Sequence, residues 1–148
     1  MPIRKLGFTA LMKMIYLRLQ IEDATTKKYH FYNYVPRTAV RPYHVIQNPR
    51  GIRSLSFTTR NTEAEDNAVE VHTWMDETSG QGDKPCSDRM NEIAQAITSS
   101  ALTITGLGYF APMRAILEYS EIIRDTTEPS LDVRHGIQRF RFEMVPSS

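Results

Sequence analysis

The chain has 148 residues, of which 41% are hydrophobic and 24% charged, and its formal net charge is +1. The length suits one domain with a substantial core, and the composition is that of an ordinary globular protein. The near-neutral charge argues against a protein that lives on nucleic acid, because such proteins usually carry a clear basic excess.

The sequence carries no pattern typical of secretion or of membrane insertion. Its single cysteine, Cys86, excludes an intramolecular disulfide. The opening residues lack the continuous apolar segment of a signal peptide, and no run approaches the roughly 18 apolar residues of a membrane span. We therefore expect a soluble protein made in a cytoplasm, without a membrane partner.

The first predicted element is a helix over residues 4–23. Apolar residues recur in it at helical spacing, namely Phe8, Leu11, Met12, Ile15 and Leu19. Alternation over residues 15–21 would also fit a strand. The uninterrupted length between residues 8 and 23, without Gly or Pro, favours the helix.

Short extended segments and a polar arm follow this helix. Residues 24–40 are rich in Thr, Lys and Tyr, and prolines limit their regular pairing. Residues 42–47 predict a short strand with Tyr43 and Val45 on one face. The mostly polar residues 51–67 predict a hairpin or arm that projects from the domain, with a plain surface loop as the alternative.

Three longer segments predict the main sheet: residues 68–76, 113–124 and 134–145. Successive side chains of a strand point to opposite faces. One face is therefore expected to carry Val69, Val71, Thr73 and Met75 from the first strand, Met113, Ala115, Leu117 and Tyr119 from the second, and Gln138, Phe140, Phe142 and Met144 from the third.

A second helix is predicted between the first two of these strands, over residues 85–99. Pro85 suits its first turn, where a missing N–H is tolerated, and its apolar stripe consists of Cys86, Met90, Ile93, Ala94 and Ile97. Residues 101–107 predict a short strand or extended link. The order of elements predicts an α+β fold, a mainly antiparallel sheet with two helices packed on one face.

No constellation of residues predicts catalysis, a cofactor or a metal site. The four histidines are His30, His44, His72 and His135. None of them has a second His, Cys or carboxylate at metal-ligand spacing. Cys86 lies on an apolar helix stripe, which favours core packing over nucleophilic chemistry. The segment Gly106-Leu-Gly108 is too short for a nucleotide loop. The acidic residues Glu63, Glu65 and Asp66 are typical of a solvated run.

The face of the sheet away from the helices, here called the outer face, mixes apolar side chains with opposite charges. It is expected to carry Glu70, His72 and Trp74, Ile116, Glu118, Ser120 and Ile122, and Ile137, Arg139 and Arg141. Such a mixture is typical of a protein interface, and large exposed apolar patches are uncommon on monomers.

Within this face we expect Trp74, Ile116 and Ile137 to lie side by side as an interface. The charged residues around them are expected to be Glu70, Glu118, Arg139 and Arg141, and Arg53 and Arg60 of the arm complete the predicted interface set. The alternative is internal packing, in which Trp74 contacts Ile116 or Ile137 across strands beside Glu–Arg pairs.

Four features follow one another along nearly the whole chain. They are a helix followed by Y-x-x-V-P at residues 32–36, the strand RPYHVI at residues 41–46, the strand VEVHTW at residues 69–74 before a glycine-rich loop and helix, and R-H-G-x-x-R-F-R at residues 134–141. In this order and spacing the chain resembles the tail-completion or tail-terminator proteins of long-tailed bacteriophages and gene transfer agents.

The resemblance implies a structural virion protein without catalytic residues or cofactors that assembles as a homo-oligomeric ring, a hexamer. The ring would close the tail tube and join it to the head–tail connector or neck protein, at the head–tail junction of a virion assembled in the host cytoplasm. DNA would pass through the ring without sequence-specific binding. A ring needs two different patches on each subunit, and we expect the outer face and the arm at residues 51–67 to supply them.

Two other functions stay open. One is a head-completion or neck protein of the same particle, which would differ in where it sits in the virion. The other is a small monomeric enzyme or ligand-binding domain that uses the region of Cys86 and His72. The mass in solution distinguishes the last of these from a ring, because a monomer has the mass of one chain.

Overall fold

The computed structural model describes residues 11–19, 31–32, 35–47, 65–77, 80–98, 110–125 and 132–146. The strands in this part of the chain are β1 (Phe31–Tyr32), β2 (Tyr43–Gln47), β3 (Glu65–Asp76), β4 (Phe110–Asp125) and β5 (Val133–Pro146). They form one sheet in the order β1-β2-β3-β5-β4. Only the short β1 pairs in parallel, with β2, and the other neighbouring strands are antiparallel. The predicted α+β fold with a mainly antiparallel sheet is confirmed.

The described residues form two helices, α1 (residues 11–19) and α2 (Lys84–Thr98). In α1, Leu11, Ile15 and Leu19 are fully buried, which confirms the helix over the competing strand alternation. The stripe of α2 is buried as predicted, with Ala94 partly buried against the core. The outer parts of the predicted first helix lie outside the described residues. Neither helical segment is long and apolar enough to span a membrane.

The core lies between the two helices and one face of the sheet. It consists of Leu11, Ile15, Leu19, Ile46, Val69, Val71, Ile93, Ile97, Phe140 and Phe142. Since β5 has β3 on one side and β4 on the other, its apolar face lies in the middle of the sheet. Phe140 and Phe142 are fully buried, as the alternation of this strand predicts.

Helix α2 lies close against β5 at Gly136. A Cβ atom at this position would come 2.5 Å from Sδ of Met90 and 3.1 Å from Sγ of Cys86. Two residues further along β5, the buried amide of Gln138 donates a hydrogen bond of 2.8 Å to the carbonyl oxygen of Met90. The missing side chain at 136 and the amide at 138 together set how closely the helix approaches the sheet.

The start of β3 corrects the predicted end of the polar arm. Residues 65–67 belong to β3 and pair with residues 142–144 of β5. Their side chains are polar, but a long partner strand offers hydrogen bonds to their backbone, which local polarity does not reveal. The remainder of the predicted arm, residues 51–64, lies outside the described residues, as does the predicted strand or link at residues 101–107.

Strand β4 departs from the predicted alternation at its middle. Leu117 is paired with Phe140 and Tyr119 with Arg139, so Glu118 is an extra residue. Residues directly opposite each other in an antiparallel pair share a face, and one extra residue therefore moves the rest of the strand to the other face. The predicted faces after the bulge are wrong: Tyr119, Glu121 and Ile123 join the outer face, while Ser120 and Ile122 turn toward the helices.

Candidate functional site on the outer face

Cross-strand pairing arranges the side chains of the outer face in rows. The first row, here called the aromatic row, is Tyr43, Trp74, His135 and Ile123. The second row is Val45, His72, Ile137 and Glu121. The third, here called the charged row, is Gln47, Glu70, Arg139 and Tyr119. Four strands thus contribute one side chain each to every row.

The aromatic row is held together by ring contacts. Trp74 stacks on His135 with ring centroids 3.7 Å apart and planes 10° from parallel. Tyr43 lies on the next strand with its ring centroid 6.5 Å from Trp74, and Tyr32 of β1 approaches Tyr43 edge-on at 6.2 Å. The two tyrosine separations are in the range of favourable aromatic pairs, and the Trp74–His135 stack is closer. Trp74 is therefore only partly exposed and has a fixed neighbour on β5.

The charged row centres on Glu70, which is only 9% exposed. Its Oε1 accepts hydrogen bonds from Nη2 and Nε of Arg139 at 2.8 and 3.2 Å, and its Oε2 lies 3.0 Å from Nε2 of His72. Burial opposes the charged carboxylate, but the bonds from Arg139 and His72 outweigh it, and the pKa of Glu70 lies below its ordinary value. Glu70 is thus a buried carboxylate whose charge is compensated by its partners.

His72 connects the charged row to the aromatic row. Its Nδ1 lies 2.8 Å from Nε2 of His135, and the two ring centroids are 5.0 Å apart. Its Nε2, which faces Glu70, also lies 2.7 Å from Nε2 of Gln47. Burial first, and then the neighbouring His72, lower the pKa of His135 to about 4. At neutral pH His135 is therefore a neutral imidazole in a continuous polar chain from Arg139 to Trp74.

The margin of the outer face on β4 is more open than its centre. Tyr119 is 46% exposed and Ile123 is 41% exposed. The hydroxyl of Tyr119 donates to the carboxylate of Glu121, which raises the pKa of Tyr119, and Arg141 lies 4.0 Å from Glu118. The outer face thus combines a bonded polar centre with an exposed apolar margin at the edge of the sheet.

The predicted interface residues share this face but do not form one cluster. On the outer face lie Trp74, Ile116, Ile137, Glu70, Glu118, Arg139 and Arg141. Ile116 is opposite Arg141, six residues along β5 from the partner of Trp74, or roughly 20 Å at the rise of a strand. The predicted side-by-side arrangement is wrong for Ile116, because it assumed a register that β4 and β5 do not have. Arg53 and Arg60 lie outside the described residues, and an interface role for the set stays a prediction.

The internal-packing alternative is correct in part. The Glu–Arg pairs it expected are present as Glu70–Arg139 and Glu118–Arg141. Trp74 stacks on His135, a residue that this alternative did not name. His135 stands two residues before Ile137, so the alternation of β5 extended backwards would have placed it on this face. The contributions of Tyr119 and Ile123 depend on the bulge at Glu118, for which the sequence gives no signal.

The structure separates the two residues of the hypothetical enzyme or ligand site. Cys86 is 1% exposed on the helix side of the sheet, whereas His72 points to the outer face. Burial first, and then the negative charge of Asp83, raise the pKa of Cys86 to about 11, so the sulfur is a thiol at neutral pH. The prediction that Cys86 packs in the core is confirmed, and a joint Cys86–His72 site is excluded. The described residues contain no group of three or more potential metal ligands.

Comparison with known proteins identifies a related fold. No protein-family model matches the sequence, and no curated protein matches it. Among solved structures, a chain from the virion of a native gene transfer agent particle superimposes with a TM-score of 0.72 at 12% sequence identity, covering 94% of this chain and 97% of that chain. Over almost the full length of both chains, the protein therefore shares the fold of a chain in a gene transfer agent virion.

Proposed function

We propose that the protein is a structural component of a phage-like or gene transfer agent virion, and specifically a tail terminator. It acts as a homo-oligomeric ring that closes the tail tube and joins it to the head–tail connector. The observation that carries the proposal is the fold shared with a chain of a gene transfer agent virion across 94% of this sequence. The order of motifs along the sequence supports the same assignment.

The outer face is the surface that we assign to contacts between subunits. Its β4 margin exposes Tyr119 and Ile123, and elsewhere the face carries Ile116, Ile137 and Trp74 with the charged pairs Glu70–Arg139 and Glu118–Arg141. Aromatic and Arg side chains are enriched at interfaces. Charged pairs already satisfied within the subunit would give such a contact its orientation more than its affinity.

The remaining partners follow from the same proposal. A hexameric ring would contact the tail tube protein on one side and the connector or neck protein on the other, in the virion, with DNA passing through without sequence-specific binding. In a ring each outer face meets a different surface of the next subunit. The arm at residues 51–64, with Arg53 and Arg60, stays our prediction for that second surface. No residue is assigned a catalytic role.

Electron microscopy of the purified protein, alone and mixed with isolated tail tubes, tests this proposal. We expect closed rings that sit at one end of each tube and prevent the addition of further tube subunits. Binding to connector-bearing heads without binding to tubes would favour a neck protein of the same particle instead. A protein that neither forms rings nor binds tubes or heads would contradict a virion role.

A further inference from the structure

The contact between His72 and His135 can be maintained only with a limited number of protons on the two imidazoles. The 2.8 Å separation of Nδ1 of His72 and Nε2 of His135 requires that one nitrogen donates and the other accepts. With both imidazoles neutral, Nε2–H of His135 donates to Nδ1 of His72, and Nε2–H of His72 donates to Glu70. The contacts of His72 with Glu70 and with His135 are then both satisfied. The amide of Gln47, 2.7 Å from the same Nε2 of His72, is compatible with this arrangement when its oxygen rather than its nitrogen faces the imidazole.

One additional proton leaves this arrangement intact. If it resides on His72, both nitrogens of that imidazolium donate, one to Glu70 at 3.0 Å and the other to His135 at 2.8 Å. The charge faces the Glu70 carboxylate. A second proton, on His135, places two N–H groups against each other and two positive charges on imidazoles whose centroids are 5.0 Å apart. The contact then becomes repulsive.

The charged and polar groups around the two imidazoles determine which of the two added protons is unfavourable. Around the pair, β3 contributes Glu70, and β5 contributes Arg139, already bound to Glu70. From β4 come Glu121, opposite Ile137, and Asp125, whose charge favours protonation of His135. The Arg41–Asp76 ion pair lies at the end of β3 beyond Trp74, and β1 and β2 contribute Tyr32, Tyr43 and Gln47. Since Glu70 bonds His72 directly, whereas Asp125 favours protonation of His135 through its charge, the second proton is the unfavourable one.

We propose that the His72–His135 pair is a proton-operated switch of the outer face. With up to one added proton the two imidazoles hold each other and hold His135 against Trp74, at a centroid distance of 3.7 Å. The second proton separates them and frees Trp74 from its neighbour on β5, while the helix-covered core stays folded. If the outer face is the contact surface of the proposed ring, a consequence that rests on that function, acid releases the subunits by this route.

Trp74 is the single tryptophan of the chain, so its fluorescence reports on this face alone. In the wild-type protein we expect the emission to shift to longer wavelength, and acrylamide quenching to increase, with a midpoint near pH 4, well below the ordinary histidine value of about 6.5. The far-ultraviolet circular dichroism should not change over the same range. His135→Gln keeps an amide donor that cannot titrate and should abolish the transition, and His135→Phe, which keeps a stacked ring, should do the same.

Glu121→Gln is the matched control, because it removes a titratable group of the same face outside the contact, and it should retain the transition. Histidine titration by nuclear magnetic resonance in the wild-type protein provides a second measurement if a variant fails to fold. The switch is contradicted if His135 titrates near its ordinary pH, if the fluorescence transition persists in both His135 variants, or if it coincides with loss of the circular dichroism signal.

Measurement of the solution mass during the same titration distinguishes failure of the proposed switch from failure of the proposed ring. Rings that dissociate with the Trp74 transition in wild type, and persist in acid in His135→Gln, support both proposals. A Trp74 transition in a protein that never assembles supports the switch and contradicts the tail-terminator function. Rings that persist through an intact Trp74 transition contradict the proposed coupling of the switch to assembly.

Discussion

The two faces of β5 differ in what holds their side chains. Phe140 and Phe142 face the helices and are fully buried in an apolar core. Arg139 and Arg141, which flank Phe140 in the sequence, face outward and are held by ion pairs with Glu70 and Glu118. One alternating strand thus supplies stability from one face through packing, and a patterned polar surface from the other. Substitutions on the two faces should therefore have effects of different kind and size.

The largest expected effect is on the covered face. Phe140→Ala removes a fully buried aromatic side chain and should lower the free energy of unfolding by about 3–5 kcal/mol, a large share of the stability of a typical domain. Arg139→Ala, its neighbour on the outer face, should cost less and leave the protein folded, because Glu70 keeps His72 as a partner. Urea denaturation of both variants measures the difference. Equal losses would mean that the two faces are not distinguished in the way the structure indicates.

Gly136→Ala should be the next largest effect. The added methyl group meets Met90 and Cys86, both buried, and overpacking of this kind costs about 1–3 kcal/mol. Because Met90 is the side chain displaced, Met90→Ala should relieve part of that loss, so the double variant should be less destabilised than the two single losses combined. Strict additivity in this double-mutant cycle would argue against close contact between α2 and β5 at Gly136.

The outer face should make stability depend on pH. The pKa of His135 is about 4 in the folded protein and about 6.5 in an unfolded chain, so the unfolded chain takes up the proton first as the pH falls. The contribution of neutral His135 to the free energy of unfolding is fully present above about pH 6.5 and is lost as the pH approaches 4. The full shift corresponds to about 3 kcal/mol at 1.36 kcal/mol per pH unit, and since His135 is partly exposed we expect about 1–2 kcal/mol.

Urea denaturation at several pH values checks this prediction. His135→Gln should flatten the dependence between pH 6.5 and 4, although other groups will still contribute below it. A slope that is the same in wild type and in His135→Gln would mean that another group is responsible.

Cys86 should show the smallest effect. Its buried thiol, with a pKa of about 11, should react slowly with a thiol reagent in the folded protein and rapidly after unfolding in urea. Cys86→Ala should cost only about 1 kcal/mol, comparable to the loss of one buried methylene group, and should leave assembly unchanged. Rapid labelling of the folded protein would show that the thiol is accessible and ionised.

The sequence predicts the covered face better than the outer face for a physical reason. Burial of Phe140, Val69 and Ile93 follows from periodicity alone, because any register that buries the apolar side of each strand gives the same core. The contacts of the outer face depend on which residues stand opposite each other. His72 and His135 are 63 residues apart in the chain, and no local pattern specifies that they meet.

The bulge at Glu118 is a second feature that periodicity cannot predict. One additional residue in β4 reverses the faces of all residues after it, and neither a glycine nor a proline marks the position. The predicted outer face was therefore correct for Ile116 and Glu118, which precede or form the bulge, and wrong for Ser120 and Ile122. Alternation predicts a strand's faces only as far as its pairing remains regular.

A pair of matched substitutions tests most directly whether the outer face has the proposed role in assembly. Ile123 on the outer face and Leu17 on α1 are both 41% exposed, so a glutamate at either position is similarly tolerated by the fold. Light scattering should give a multiple of the chain mass for wild type and for Leu17→Glu, and the mass of one folded chain for Ile123→Glu. An Ile123→Glu protein that assembles as wild type does, or a loss of assembly only in Leu17→Glu, would contradict the assignment of the outer face as the contact surface.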